Sequence, residues 1–80
     1  MTELILYSTS HCHLCEQAEA LLTQLAGSLQ LQWQTIEIAN DDGLLFAYGT
    51  RIPVIKIKDK SADLGWPFTA KELIDFIEQP

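Results

Sequence analysis

The sequence predicts an α/β domain: a four-stranded mixed sheet with helices on both faces, in the order β-α-β-α-β-β-α. Three observations predict it. Short apolar runs that read as buried strands alternate with stretches of helical periodicity. The first strand, helix and strand have the spacing of a parallel crossover unit, expected to be right-handed. The last two strand-like runs are close enough to form a hairpin, which makes the sheet mixed.

Each element has a local reason. Leu4-Ile5-Leu6-Tyr7 is a continuous apolar run that suits a strand buried on both faces. Ser8, Thr9 and Ser10 follow as a loop with candidate helix caps. Leu14, Ala18, Leu21, Leu22 and Leu25 recur at helical spacing, and Gly27 supplies a stop, so a helix is expected over 13–26. Residues 29–38 are strand-like through Leu31, Trp33, Ile36 and Ile38. Their alternation slips one step between Trp33 and Ile36, which predicts a bulge or an edge position. Asn40, Asp41 and Asp42 open a short helix through Leu45 and Phe46, closed by Gly49. From Val54 to Lys58 the chain is a strand, with Ile55 and Ile57 on one face and Lys56 and Lys58 on the other. Asp59-Lys60 turns it into a short strand near residues 62–64. Thr69-Ala70-Lys71-Glu72 reads as a capping box, with Phe68 and Leu73 placed for a hydrophobic staple and Leu73, Ile74 and Ile77 forming the inner stripe of a last helix.

The 80 residues are expected to form a single domain, residues 1–80. A chain this short buries only roughly 60–65% of its unfolded surface, so its core must be efficient. No apolar run approaches the ~18 residues of a membrane span, and Met1-Thr2-Glu3 lacks the positive start of a signal peptide. The expectation is a soluble cytoplasmic protein with no membrane partner. Its net charge of −6 is uneven. Residues 1–50 hold six acidic side chains and no Lys or Arg, whereas residues 51–80 hold five of each sign. That balance disfavours nucleic acid as a partner. An anionic ligand in the first half would need backbone amides, histidine or Arg51.

Cys12 and Cys15 are the only cysteines, three residues apart, where a strand gives way to a helix. A helix N-terminus presents unpaired N–H groups and a positive dipole end, which favour thiolate over thiol. An ordinary thiol of pKa ~8.5 is about 3% ionised at pH 7. Lowering the pKa to ~7 takes roughly 2 kcal/mol, the most a helix terminus supplies when partly buried. Cys12 is therefore the candidate nucleophile. Amide bonds to its sulfur, or a protonated His11 or His13, would supply any remainder, although an ordinary histidine of pKa ~6.5 is mostly neutral at pH 7. Cys15, one turn on, is the candidate resolving thiol. A purely structural disulfide is the weaker reading, because so small a loop removes little entropy from the unfolded chain. His11, Cys12, His13 and Cys15 also number four potential metal ligands. However, there is no second ligand pair elsewhere, and four ligands in five residues would conflict with the helix that starts there. No metal site is assigned.

Cys12-His13-Leu14-Cys15 after the first strand, with Arg51-Ile52-Pro53-Val54 opening the third, resembles the thioredoxin superfamily. At this length the chain is most similar to a glutaredoxin. The Cys-X-Leu-Cys form, together with Leu64-Gly65-Trp66-Pro67-Phe68, resembles a group of small bacterial glutaredoxin-like proteins. The resemblance implies a thioredoxin-like fold and a thiol–disulfide oxidoreductase of the bacterial cytoplasm. It implies a cis bond before Pro53, facing the dithiol, and an unpaired Ile52 backbone that receives a substrate peptide or glutathione. Beside these, Arg51, His13 and Trp66 are candidate substrate-binding residues, Arg51 as the one basic residue placed for a ligand carboxylate and Trp66, with Phe68, as a groove wall beside Pro53. The partners would be disulfide-bearing proteins or glutathione mixed disulfides, with glutathione or a thioredoxin reductase as reductant. The protein would act as a monomer with no resident cofactor, glutathione entering only as co-substrate. Two other classes stand beside this: a redox-sensing or partner-binding module, and a thiol-ligated metal or iron–sulfur module.

The departures from the glutaredoxin pattern are specific. Typical glutaredoxins have Cys-Pro-Tyr-Cys preceded by a basic residue; here His13 and Leu14 lie between the cysteines and Ser8-Thr9-Ser10-His11 precedes them. The segment that grips glutathione before the last helix reads Asp63-Leu64-Gly65-Trp66-Pro67-Phe68-Thr69. Fold and dithiol carry over further than glutathione binding does.

Overall fold

β1 (Thr2–Ser8) is the hub of the sheet, and its alternating side chains supply both faces. The computed structural model describes residues 2–78. After β1 come α1 (His13–Leu29), β2 (Leu31–Glu37), α2 (Asp42–Tyr48), β3 (Val54–Ile57), β4 (Asp63–Gly65) and α3 (Ala70–Ile77). This is the predicted order. The strands lie β2-β1-β3-β4 across the sheet. β1 is parallel to β2 and antiparallel to β3, and β3 is antiparallel to β4. The fold is the mixed thioredoxin-like sheet.

Period-two alternation divides the core. Leu4 and Leu6 of β1 and Ile55 of β3 pack with Ala18 and Leu22 of α1 and with Phe68, Leu73 and Phe76 at α3. Tyr7 of β1 and Val54 of β3 turn the other way and pack with Ile38, under Leu44 and Tyr48 of α2.

Of the two alternatives expected for β2, the edge position holds and the bulge does not, and two further expectations change. β2 carries no bulge: it pairs with β1 without interruption from Thr2↔Leu31 to Ser8↔Glu37. It is an edge strand. The slip in its pattern arises because Leu31 and Trp33 serve the α1/α3 face, whereas Ile36 serves the face that α2 covers. Helix α1 runs on to Leu29, past Gly27, and Gln30 takes the left-handed cap position at φ 52°. Gly27 is a plain helical residue with open space where a Cβ would stand. β3 and β4 each differ by a residue from the expected limits, the turn between them using Asp59 at φ 68°.

The caps are local. Asp41 accepts the Leu44 N–H at 3.0 Å at the start of α2. At Gly49, which follows α2 in right-handed conformation, a Cβ would collide with the Leu45 carbonyl oxygen. Thr69 and Glu72 form the reciprocal capping box of α3, with bonds of 3.1 and 3.0 Å. Phe68 and Leu73, on either side of that cap, are buried in one cluster.

Candidate active site

Cys12 is the N-cap residue of α1, in extended conformation, and its sulfur accepts the Cys15 N–H at 3.1 Å. Its carbonyl accepts the Glu16 N–H, closing the first helical turn. Cys12 is half-buried, while Cys15 lies behind it at 2% exposure. The two are joined as a disulfide, with Cα atoms 5.2 Å apart. An amide N–H aimed at a sulfur stabilises that sulfur as an anion, so the cap that starts the helix is also what prepares a thiolate.

The loop that presents Cys12 is held from β2. The Glu37 carboxylate accepts the Ser10 N–H at 2.9 Å, the Ser10 hydroxyl at 3.0 Å and the Ala39 N–H at 3.1 Å. Those donors hold the Glu37 carboxyl down to about 2, the Ala39 amide contributing most, then the Thr9 hydroxyl and the two Ser10 donors. The Ile38 N–H to Ser8 carbonyl bond ties the same two strand ends together. His11 follows in left-handed conformation at φ 60° and is exposed. His13 is 83% exposed at its side chain, and its Nδ1 lies 3.7 Å from a Glu16 carboxylate oxygen.

Pro53 is fully buried, and the Ile52–Pro53 bond is cis. So is Trp66–Pro67, which nothing in the sequence reading singled out. Because Val54 pairs with Tyr7, Pro53 lies at the end of the sheet from which the Cys12 loop departs. The Pro53 carbonyl accepts the Trp66 N–H at 3.0 Å, which fixes Trp66 beside it. The Trp66 ring is half-buried and meets Phe68 edge-on at 5.0 Å.

Ile52 departs from its expected role. Its N–H is not free: it donates to the Tyr48 carbonyl at 3.0 Å, because the chain leaving α2 is still finishing helical-type bonds there. Its carbonyl accepts no backbone hydrogen bond among the described residues. Arg51 is engaged too. One guanidinium nitrogen is 2.5 Å from Asp63 Oδ1, and the group lies over the Tyr48 ring at 5.8 Å. Tyr48 in turn stacks on Tyr7 at 4.4 Å, and burial, then the neighbouring Tyr48, pushes the Tyr7 phenol up.

Glu37, Asp63 and Tyr48 are the site residues that sequence reading missed. Glu37 is 27 residues from Ser10, and Asp63 is 12 from Arg51, so no local spacing marks either pair. The sign rule alone could have suggested Asp63 for Arg51. Among the described residues, no three His, Cys, Asp or Glu side chains converge as a metal site would need.

Residues 3–78 match the Glutaredoxin-like domain (DUF836) family. The chain belongs to this glutaredoxin-like family. Its structure is similar to that of the target protein XcR50 from X. campestris, at 35% identity over 94% of this chain and 95% of that one, TM-score 0.81. It is also similar to protein Ne2328 from Nitrosomonas europaea, at 23% identity over 96% and 92% of the two chains, TM-score 0.84. A thioredoxin variant from Halobacterium salinarum shares the fold at 21% identity over 96% of this chain and 72% of that one, TM-score 0.74. No protein of curated function matches the sequence. The glutaredoxin-like fold with a Cys-X-X-Cys pair at the first helix start supports a redox-type function. No helix among the described residues is long and apolar enough to cross a membrane.

Proposed function

We propose that this protein is a thiol–disulfide oxidoreductase, with Cys12 as nucleophile and Cys15 as resolving thiol. The observation that carries the reading is the Cys12 sulfur at the α1 N-cap, taking the Cys15 N–H, with Cys15 buried directly behind it. In the reduced protein the Cys12 thiolate attacks one sulfur of a substrate disulfide. The other substrate sulfur leaves as a thiolate and takes up a proton. Cys15 then gives up its proton and attacks the Cys12 sulfur, and the first substrate sulfur leaves. Two electrons have passed from the dithiol to the substrate, and the Cys12–Cys15 disulfide remains. An external thiol, such as glutathione or a reductase dithiol, restores the pair by the reverse exchange.

Pro53 and Trp66 form the wall against which the substrate lies, and the Ile52 carbonyl is the acceptor offered to a substrate N–H. Arg51 must leave Asp63 before it can meet a ligand carboxylate, which makes it a shaping residue of that wall. His13 points outward one residue past Cys12, where an incoming partner meets it. The chemistry fits a monomer in a reducing cytoplasm, with no resident cofactor.

Single-cysteine variants test this. Cys12→Ser should abolish reduction of a small neutral disulfide. Cys15→Ser should accumulate a Cys12–substrate adduct, visible as a mass increase on the intact protein. Reduction by Cys12→Ser at the wild-type rate would overturn the assignment.

A further inference from the structure

Unpaired acidic residues gather at one end of the sheet, whereas the charges at the other end balance. β1 and β2 run in parallel, and beyond their C-terminal ends lie Cys12 on one and Asp41 and Asp42 on the other, with Glu37 closing β2 itself. Glu16 stands in the first turn of α1, exposed beside His13. Glu37 stays ionised under all ordinary conditions, because its donors hold it near 2. At the far end, Lys58 pairs with Glu3 near the start of β1, and Asp59 and Lys60 follow in the next turn, so two lysines meet two carboxylates there. The strand between the two ends is seven residues long, about 20 Å. The basic residues towards the dithiol end are each paired with a carboxylate: Arg51, just before Pro53, with Asp63, and Lys71, in the first turn of α3, with Asp75.

The same end carries uncovered apolar surface. α2 leaves β2 and returns to Val54 of β3, which pairs with Tyr7, so α2 lies at the dithiol end. Leu44 and Tyr48 face the sheet, and no residue of α2 is buried. Leu45 and Phe46 face outward, 46% and 95% exposed. Leu14, between the two cysteines, is 43% exposed. Apolar side chains within an acidic surround fit a partner that offers an apolar side chain among positive charges.

We propose that the dithiol end docks cationic polypeptide disulfides. An apolar side chain of the partner seats on Leu45 and Phe46, and its lysines or arginines face Glu16, Asp41 and Asp42. This rests on the oxidoreductase reading of Cys12 and Cys15, and names its substrate class. Glutathione disulfide, which has more carboxylates than amines, is a poor substrate for this end of the molecule.

The test is single-turnover oxidation of the pre-reduced full chain by three probes. These are neutral hydroxyethyl disulfide, a lysine-flanked peptide disulfide containing one leucine, and its glutamate-flanked counterpart. At about 10 mM salt the lysine peptide should react roughly tenfold faster than the glutamate peptide. At about 1 M salt, where the screening length falls to about 3 Å, the two rates should converge. Phe46→Ser should slow the lysine peptide by about threefold or more and leave the neutral probe unchanged. Being on an exposed side chain, that change leaves the fold intact. Glu16→Gln with Asp42→Asn should narrow the charge preference. Equal peptide rates at low salt, a faster glutamate peptide, or no effect of Phe46→Ser would overturn the docking proposal while a normal neutral-probe rate preserved the redox reading. Failure to reduce even the neutral probe would remove the redox reading itself, and the docking proposal with it.

Discussion

The two faces of the sheet are built to different depths. On the first, nine buried side chains from β1, β2, β3, α1 and the α3 region form one cluster. On the second, the buried cluster among the described residues is Tyr7, Ile38 and Val54, and the helix above them buries none of its own residues. The difference separates two duties. The deep face holds the molecule together, and the thin face is left free to be a surface. The dithiol sits at the join: its helix belongs to the deep face, while the Pro53 turn and α2 belong to the thin one.

The sharpest way to break that contrast is to cut matched leucines on each face. Leu22→Ala, at a fully buried position of α1, should cost about 2–5 kcal/mol. Leu44→Ala, at a half-buried position of α2, should cost about 1 kcal/mol. Denaturant unfolding of the disulfide-intact proteins measures both, and equal losses would mean the thin face is not thin energetically.

A second test addresses the clasp between β2 and the Cys12 loop. The Glu37 carboxyl is lowered from 4.5 to about 2, so it contributes stability that is fully present above pH 4.5 and is lost as the pH falls towards 2. Glu37→Gln should flatten that stretch of the acid stability profile, and amide exchange at Ser10 and Ala39 should quicken. An unchanged acid profile would show that the clasp does not stabilise the folded state.

The smallest effect concerns the solvent side of the deep face. Gly27→Ala places a methyl in open space within α1 and should stabilise by about 0.5–1 kcal/mol. A loss at this site would mean that α1 needs its backbone freedom there, and thermal unfolding decides it.

What was legible in the sequence was mostly local. The capping box at Thr69 and Glu72, the helical stripe of Ala18, Leu21, Leu22 and Leu25, and the cap at Asp41 are each written within a few residues, whereas Leu14, expected in that stripe, is exposed. The Cys12–Cys15 pair is local too, so its position at a helix start followed directly. Gly27 misled because a stop signal in sequence is only a preference, and packing of Ala26 and Leu29 against the core carried the helix further. The β2 pattern was ambiguous because one strand serves two clusters in succession. The Glu37 clasp, the Arg51–Asp63 pair and the engaged Ile52 N–H depend on which chain ends meet, and that is settled by topology rather than spacing.

The strand order has a consequence for how the chain is made. Emerging from a ribosome, β1, α1 and β2 can assemble as a crossover unit once Glu37 is out. Yet the other side of β1 waits for β3, and the clustered face on which α1 rests is not sealed until Leu73 and Phe76 arrive. Until then the nascent chain carries both cysteines on a half-covered sheet.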